Sequence, residues 1–237
     1  MNLTKYEKVL SIVLSITAAV FFCGELSAAD FHQLIHTGEL NRIREAICQD
    51  SRLVNLKDEL GRSPLQIAVA RGHLALVNVL VKAKADVNHV DHLKGFSALH
   101  YAAQYNYPLI LSFLLTRGAD MSIQDNDGNF PLHICAGNGC VETVRILLEH
   151  RADANCMNRR WQIPLHLCAL AGKDRQLFPY SSKKHESFLA VSKLLVEQGA
   201  YGNLRDINDD TPATIAARHY PGSDFFQHFV AILEGLE

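Results

Sequence analysis

The stretch FPLHICAGNG, residues 130–139, decides how this chain folds, because it is one of five copies of a single pattern. SPLQIAVARGH (63–73), SALHYAAQYN (97–106), IPLHLCALAG (163–172) and TPATIAARHY (211–220) align with it. The anchors Pro64, Ala98, Pro131, Pro164 and Pro212 stand 34, 33, 33 and 48 residues apart. A second ladder runs through Asn55-x-x-Asp58, Asn88-x-x-Asp91, Ser122-x-x-Asp125, Asn155-x-x-Asn158 and Asn203-x-x-Asp206. A third is LVNVLVKAKADVN (76–88), ILSFLLTRGADMS (110–122), TVRILLEHRADAN (143–155) and VSKLLVEQGAYGN (191–203). Self-similarity at such a period marks a stacked repeat architecture.

Each copy has a physical reading. Proline in a first helical turn loses no hydrogen bond and presets φ. Behind it, Leu65/Ala68/Val69, Leu99/Ala102/Ala103, Leu132/Cys135/Ala136 and Leu165/Cys168/Ala169 stand at i, i+3, i+4, one apolar face of a short helix. Ala213/Ala216/Ala217 take those places in the last copy. A second helix supplies Val77/Leu80/Val81, Leu111/Leu114/Leu115 and Val144/Leu147/Leu148. Gly118 and Gly199 fall where a left-handed helix stop is needed. The Asn/Asp-rich junction then turns through side-chain bonds to backbone. One such pair cannot bury its own apolar face, so neighbours must stack.

These residues resemble the ankyrin repeat: its T-P-L-H-x-A signature, its period, and its G-A-D-x-N ending in GADMS and RADAN. The resemblance covers residues 30–237. It implies an all-α solenoid of about six helix-turn-helix units with β-hairpin or turn junctions. The units lie near 30–57, 58–90, 91–124, 125–157, 158–205 and 206–237, the first and last degenerate as capping units are. Phe130 and Ile163 depart from the usual Thr before proline, and Trp161 stands where other units have Gly61, Gly95 and Gly128. Unit 3 carries one extra residue in HVDHLKGFS, and unit 5 an insertion near 173–187, KDRQLFPYSSKKHES.

The first 29 residues differ from the rest. Lys5 and Lys8 precede the apolar run Val9–Cys23, and Ser27 and Ala29 stand at A-x-A-like spacing before Asp30, a signal-peptide layout. The run falls short of the roughly 20 residues a membrane span needs. Export to a periplasm or the exterior is therefore expected, with no stable membrane span after cleavage. Alternatives are an uncleaved membrane anchor, delivery to a host cytosol, or an extra N-terminal helix packed on the domain. Beyond that segment stand Cys48, Cys135, Cys140, Cys156 and Cys168, an odd number at irregular spacing that does not read as a disulfide framework. A net charge of −2 and 20% charged residues give no case for nucleic acid as a partner.

His100, His133 and His166 occupy the signature's histidine position, which the resemblance makes a tie to backbone between units. Stacked units lie roughly 10 Å apart, as packed helices do, while zinc needs ligands at about 2 Å. Equivalent histidines therefore cannot share a metal. Cys135 and Cys168 fall where other units have Ala68, Ala102 and Ala216, and fill an alanine-sized gap. No Ser/His/Asp set, HExxH, P-loop or GxGxxG pattern occurs. The reading is a non-catalytic module with no metal and no cofactor, a monomer binding an unknown protein partner.

By resemblance, partners dock in a concave groove formed by junction tips and first helices. The candidates there are His92, Leu93, Lys94 and Phe96 in unit 3, Tyr105 at the end of its first helix, and Arg159, Arg160 and Trp161 in unit 5. Aromatic and arginine clusters are what binding hot spots favour. The bland alternative packs Trp161 on the neighbouring turn and leaves the arginines solvated. The finer readings are a periplasmic or secretory-pathway scaffold, a secreted bacterial effector binding a host protein, and a substrate-docking subunit of an enzyme.

Overall fold

The computed structural model describes residues 27–170 and 182–235, which form twelve α-helices, one 3-10 turn and no strand. The helices fall into six consecutive pairs. They are α1 (Ala28–Thr37) with α2 (Leu40–Gln49), α3 (Pro64–Ala70) with α4 (Leu74–Lys82), and α5 (Ala98–Gln104) with α6 (Pro108–Thr116). Then follow α7 (Pro131–Asn138) with α8 (Val141–Glu149), α9 (Pro164–Leu170) with α10 (Ser182–Glu197), and α11 (Pro212–His219) with α12 (Asp224–Leu233). The 3-10 turn Ser51–Asn55 closes the first pair.

Local chemistry starts each first helix. Pro64, Pro131, Pro164 and Pro212 open α3, α7, α9 and α11. In α3 a reciprocal cap forms: Gln66 N donates to Ser63 Oγ at 3.3 Å and Ser63 N to Gln66 Oε1 at 2.7 Å. The predicted apolar faces of α3, α5, α7 and α9 are buried throughout. In α11 the buried face is Ile215 and Ala216, while Ala213 and Ala217 stay half-buried.

First helices of neighbouring units pack more closely than second helices do, so the stack curves with α3, α5, α7, α9 and α11 on its concave side. The junctions project beside that face as turns rather than hairpin strands. Asp58, Asp91, Asp125, Asn158 and Asp206 each accept two backbone N–H bonds on one side-chain oxygen, such as Asp127 N at 2.9 Å and Asn129 N at 2.7 Å on Asp125. Neighbouring tips are then tied backbone to backbone. His92 N donates to Leu60 O at 3.1 Å, Asn126 N to Lys94 O at 2.8 Å, Arg159 N to Asp127 O at 3.2 Å and Ile207 N to Arg160 O at 3.0 Å.

Two boundaries shift. Helix α1 begins at Ala28, with Ser27 Oγ accepting from Asp30 N at 3.1 Å, so the first unit starts ahead of residue 30. Residues 182–187, expected as part of the insertion, form the start of α10. Most of the expected signal segment (1–26) and residues 173–181 of the insertion lie outside the described residues.

Candidate functional site

The histidine ladder is structural in its bonding. His100 Nε2 faces Asn129 O at 3.1 Å, His133 Nε2 faces Gln162 O at 2.8 Å and His166 Nε2 faces Asp210 O at 3.2 Å. A nitrogen facing a carbonyl must carry the proton, so Nδ1 is the acceptor. It receives Ser97 N at 3.1 Å, Phe130 N at 3.3 Å and Ile163 N at 3.2 Å. Both ring nitrogens are therefore engaged, Nδ1 at the start of its own helix and Nε2 across to the next unit. Burial holds all three imidazoles below the usual value, His133 at about 4. Gln66 takes this role in unit 2, its Nε2 donating to Phe96 O at 2.6 Å.

The thiols are equally quiet. Cys135 and Cys168 are fully buried, and burial raises both thiols, Cys168 to about 12. Cys140 is buried too. Cys156 lies with Sγ 3.7 Å from His133 Nδ1, where unit 3 has the Ser97 hydroxyl 2.9 Å from His100 Nδ1. Burial pushes Cys156 to about 12, the opposite of an activated nucleophile. Among the described residues no group of three or more His, Cys, Asp or Glu is placed to hold a metal.

The candidate surface residues divide into two groups across the tip of unit 4. In unit 3, His92, Leu93 and Lys94 are exposed, Leu93 at 62%. Phe96 is 5% exposed and does not reach the surface. Its ring stacks on His100 at 5.3 Å, meets Tyr101 edge-on at 5.4 Å and carries Lys94 Nζ at 5.1 Å. Phe96 thus braces Lys94 from below. Tyr105, half exposed, stacks on Tyr101 at 6.5 Å and Tyr107 at 6.1 Å, forming an aromatic row that sequence reasoning missed. The i, i+4 spacing of Tyr101 and Tyr105 on one helix face was the available signal.

In unit 5, Arg159, Arg160 and Trp161 are all exposed, Trp161 at 59%. Gly61, Gly95 and Gly128 have φ of 74°, 69° and 80°, and each is covered by the following tip: His92, Asn126 and Arg159. Trp161 holds the same left-handed conformation at φ 58°. A bulky residue there is an outlier. The next tip residue by register, Ile207, donates its N–H to Arg160 O at 3.0 Å as its counterparts do, and its side chain is 58% exposed. The tip of unit 5 therefore presents an uncovered indole beside an uncovered isoleucine and two arginines.

The fold defines a class first: a curved solenoid of helix pairs whose turns and first helices share one face. A family description, ankyrin repeats in three copies, matches residues 31–125 and 99–178. The chain belongs to the ankyrin-repeat family. It is 33% identical to inversin of Canis lupus familiaris over 129 residues, 54% of this chain and 12% of that protein. It is 32% identical to mouse ankyrin repeat and SAM domain-containing protein 6 over 120 residues, 50% of this chain and 14% of that protein. The mouse B-cell lymphoma 3 protein homolog is 29% identical over 189 residues, 70% of this chain and 42% of that protein. The chain thus spans a small part of the first two relatives. Ankyrin repeats are protein–protein interaction modules, generally without catalytic activity, and this chain carries such a module.

Proposed function

We propose that this chain is a non-catalytic recognition protein that holds a protein partner on its concave face, with the tip of units 5 and 6 as the anchor. The observation that carries this reading is the exposed Trp161 at φ 58°, a bulky side chain in a position that units 2, 3 and 4 fill with glycine and unit 6 with Asp209 at φ 64°. A strained conformation costs about 1–3 kcal/mol, persists only where the surrounding structure over-determines it, and clusters at functional sites. Tryptophan and arginine are also the side chains that dominate interface energetics. The test compares wild type with Trp161→Gly, which restores the ordinary tip. Capture of the same partner falls at least about tenfold, equivalent to 1.4 kcal/mol, while the variant unfolds later. Equal capture rejects the assignment.

The N-terminal segment supports export, with Lys5 and Lys8, the apolar run and the small residues at 27 and 29 as its parts. Cleavage before Asp30 removes the Ser27 cap but leaves the buried Phe31 and Ile35 of α1 in place. N-terminal sequencing of the mature protein decides this, and an intact Met1 on soluble protein rejects export. A second reading, delivery to a reducing host cytosol as an effector, is favoured by Cys48, Cys135, Cys140, Cys156 and Cys168, none of which forms a disulfide among the described residues.

A further inference from the structure

The concave helices α3, α5, α7, α9 and α11 contain no aspartate or glutamate. Carboxylates stand instead on the second helices of units 4 to 6, with Glu142 and Glu149 in α8, Glu186 and Glu197 in α10 and Asp224 in α12, while α4 and α6 have none. Most acids near the tips are already engaged. Asp91, Asp125 and Asp206 are buried within their own turns. Asp58 pairs with Arg62 at 2.8 Å, Asp209 with Arg205 at 2.7 Å and Asp210 with Arg218 at 2.7 Å.

Across the tips of units 3 to 5 this leaves Lys94, Arg159 and Arg160 exposed against the single carboxylate Asp127, with Glu59 further off at unit 2. Arg159 bends back to Asn126 O, but its charge stays at the surface. The guanidinium of Arg160 has no hydrogen bond or ion pair among the described residues. Beside these cations runs an apolar row from equivalent positions of three units, Tyr101, Ile134 and Leu167, all half-buried. The chain as a whole has a net charge of −2, so this face is positive on a negative molecule. Such a field steers and selects partners of opposite sign.

Resting on the docking reading above, we infer that the occupant of this face is an acidic segment of a partner protein, an extended stretch in which aspartate or glutamate alternates with large apolar residues. The carboxylates meet Lys94 and Arg160, and the apolar side chains meet Trp161, Tyr105 and the half-buried row. Alternate residues of an extended segment point to opposite sides, which suits a groove with a cationic rim and an apolar floor. Nucleic acid fits less well: three cations release few counterions, and such binding draws its strength from many phosphate contacts.

The probe is a phage-displayed library of random peptides selected on the immobilised full chain, with parallel selections on Lys94→Glu/Arg160→Glu and on Trp161→Gly. Circular dichroism confirms that each variant is folded. Peptides recovered on wild type are enriched in Asp and Glu interleaved with aromatic and aliphatic residues. That enrichment disappears on the charge-reversed variant, where the best peptide binds at least about tenfold more weakly. A neutral or basic consensus, an acidic consensus unchanged by charge reversal, or no recovery above bare matrix overturns the inference. So does displacement of the peptides by single-stranded oligo-dT at matched charge. Neutral peptides that still require Trp161 reject the charge assignment alone, whereas peptides indifferent to Trp161→Gly reject the docking surface itself.

Discussion

The side chain of Arg159 lies directly over Gly128, so close that a Cβ on the glycine would come 2.7 Å from both Arg159 Cγ and its backbone nitrogen. One tip covers the previous one, and only a residue without Cβ leaves room. Gly128→Ala must both hold φ 80° and push back the Arg159 backbone. It should destabilise the chain by about 2 kcal/mol. Trp161→Gly, the reverse change one unit on, should stabilise by about 1 kcal/mol. Urea midpoints of the two variants moving in the same direction would contradict this picture of the tips.

A second ladder is broken at one rung. Asn55 Oδ1 accepts from Asp86 N at 2.9 Å, Asn88 Oδ1 from Asp120 N at 2.8 Å and Asn155 Oδ1 from Tyr201 N at 2.8 Å. Ser122 stands at the equivalent position of unit 3 and turns its hydroxyl to Asp120 instead, at 2.6 Å. Ser122→Asn restores the reach to the next unit and should add about 1 kcal/mol. Thermal or urea unfolding of the variant checks it, and an unchanged midpoint rejects the restored rung.

Acid should weaken the stack before it protonates most carboxylates. His133 is held at about 4 in the folded chain against 6.5 for a free imidazole. Between those values the unfolded chain binds more protons, so stability present above about pH 6.5 is lost as pH falls toward 4. For His133 alone the loss integrates to about 3 kcal/mol. His100 and His166 are shifted the same way. Asp206, whose carboxyl is lowered by its bonds to Gln162 and to backbone, adds its loss at lower pH. His133→Gln, which copies the arrangement of Gln66 in unit 2, keeps both bonds and should flatten this slope in pH-dependent unfolding. An equally steep slope would contradict it.

How much of this was legible in sequence depends on what repeats. The helix pairs, the Pro starts, the roles of His100, His133 and His166 and the buried Cys135 and Cys168 follow from register, because each copy reports the environment of the others. Phe96 shows where register stops helping. It sits in the one loop with an extra residue, so no other unit could show that its ring turns inward onto His100. Trp161 was visible as an exception to glycine, and the φ of its neighbours in register explains why it is exposed. The contact of Cys156 with His133 depends on how one unit folds back on itself, and the exposure of Ile207 on the packing of neighbouring tips, neither of which the chain order carries. The polar residues 182–187 lack an apolar period, and they extend α10 because the buried Phe188 and Val191 anchor the helix behind them.

Thiol chemistry offers an independent check on the packing. Of the five described cysteines, Cys48 is exposed, Cys156 is partly covered, and Cys135, Cys140 and Cys168 are buried. A maleimide applied to the native protein should modify Cys48 fast and the three buried thiols only after unfolding. Mass-spectrometric mapping reads this out. Rapid native labelling of Cys135 or Cys168 would mean that the units do not stack as described.

The central claim is that Trp161 is a partner's anchor, and the chain contains a single tryptophan. Its fluorescence therefore reports that tip without interference. In the free protein the emission should be red-shifted and readily quenched by acrylamide, as the exposed indole requires. Addition of the captured partner should shift the emission to the blue and protect it from quenching. A complex formed at full occupancy with emission and quenching unchanged would contradict the account.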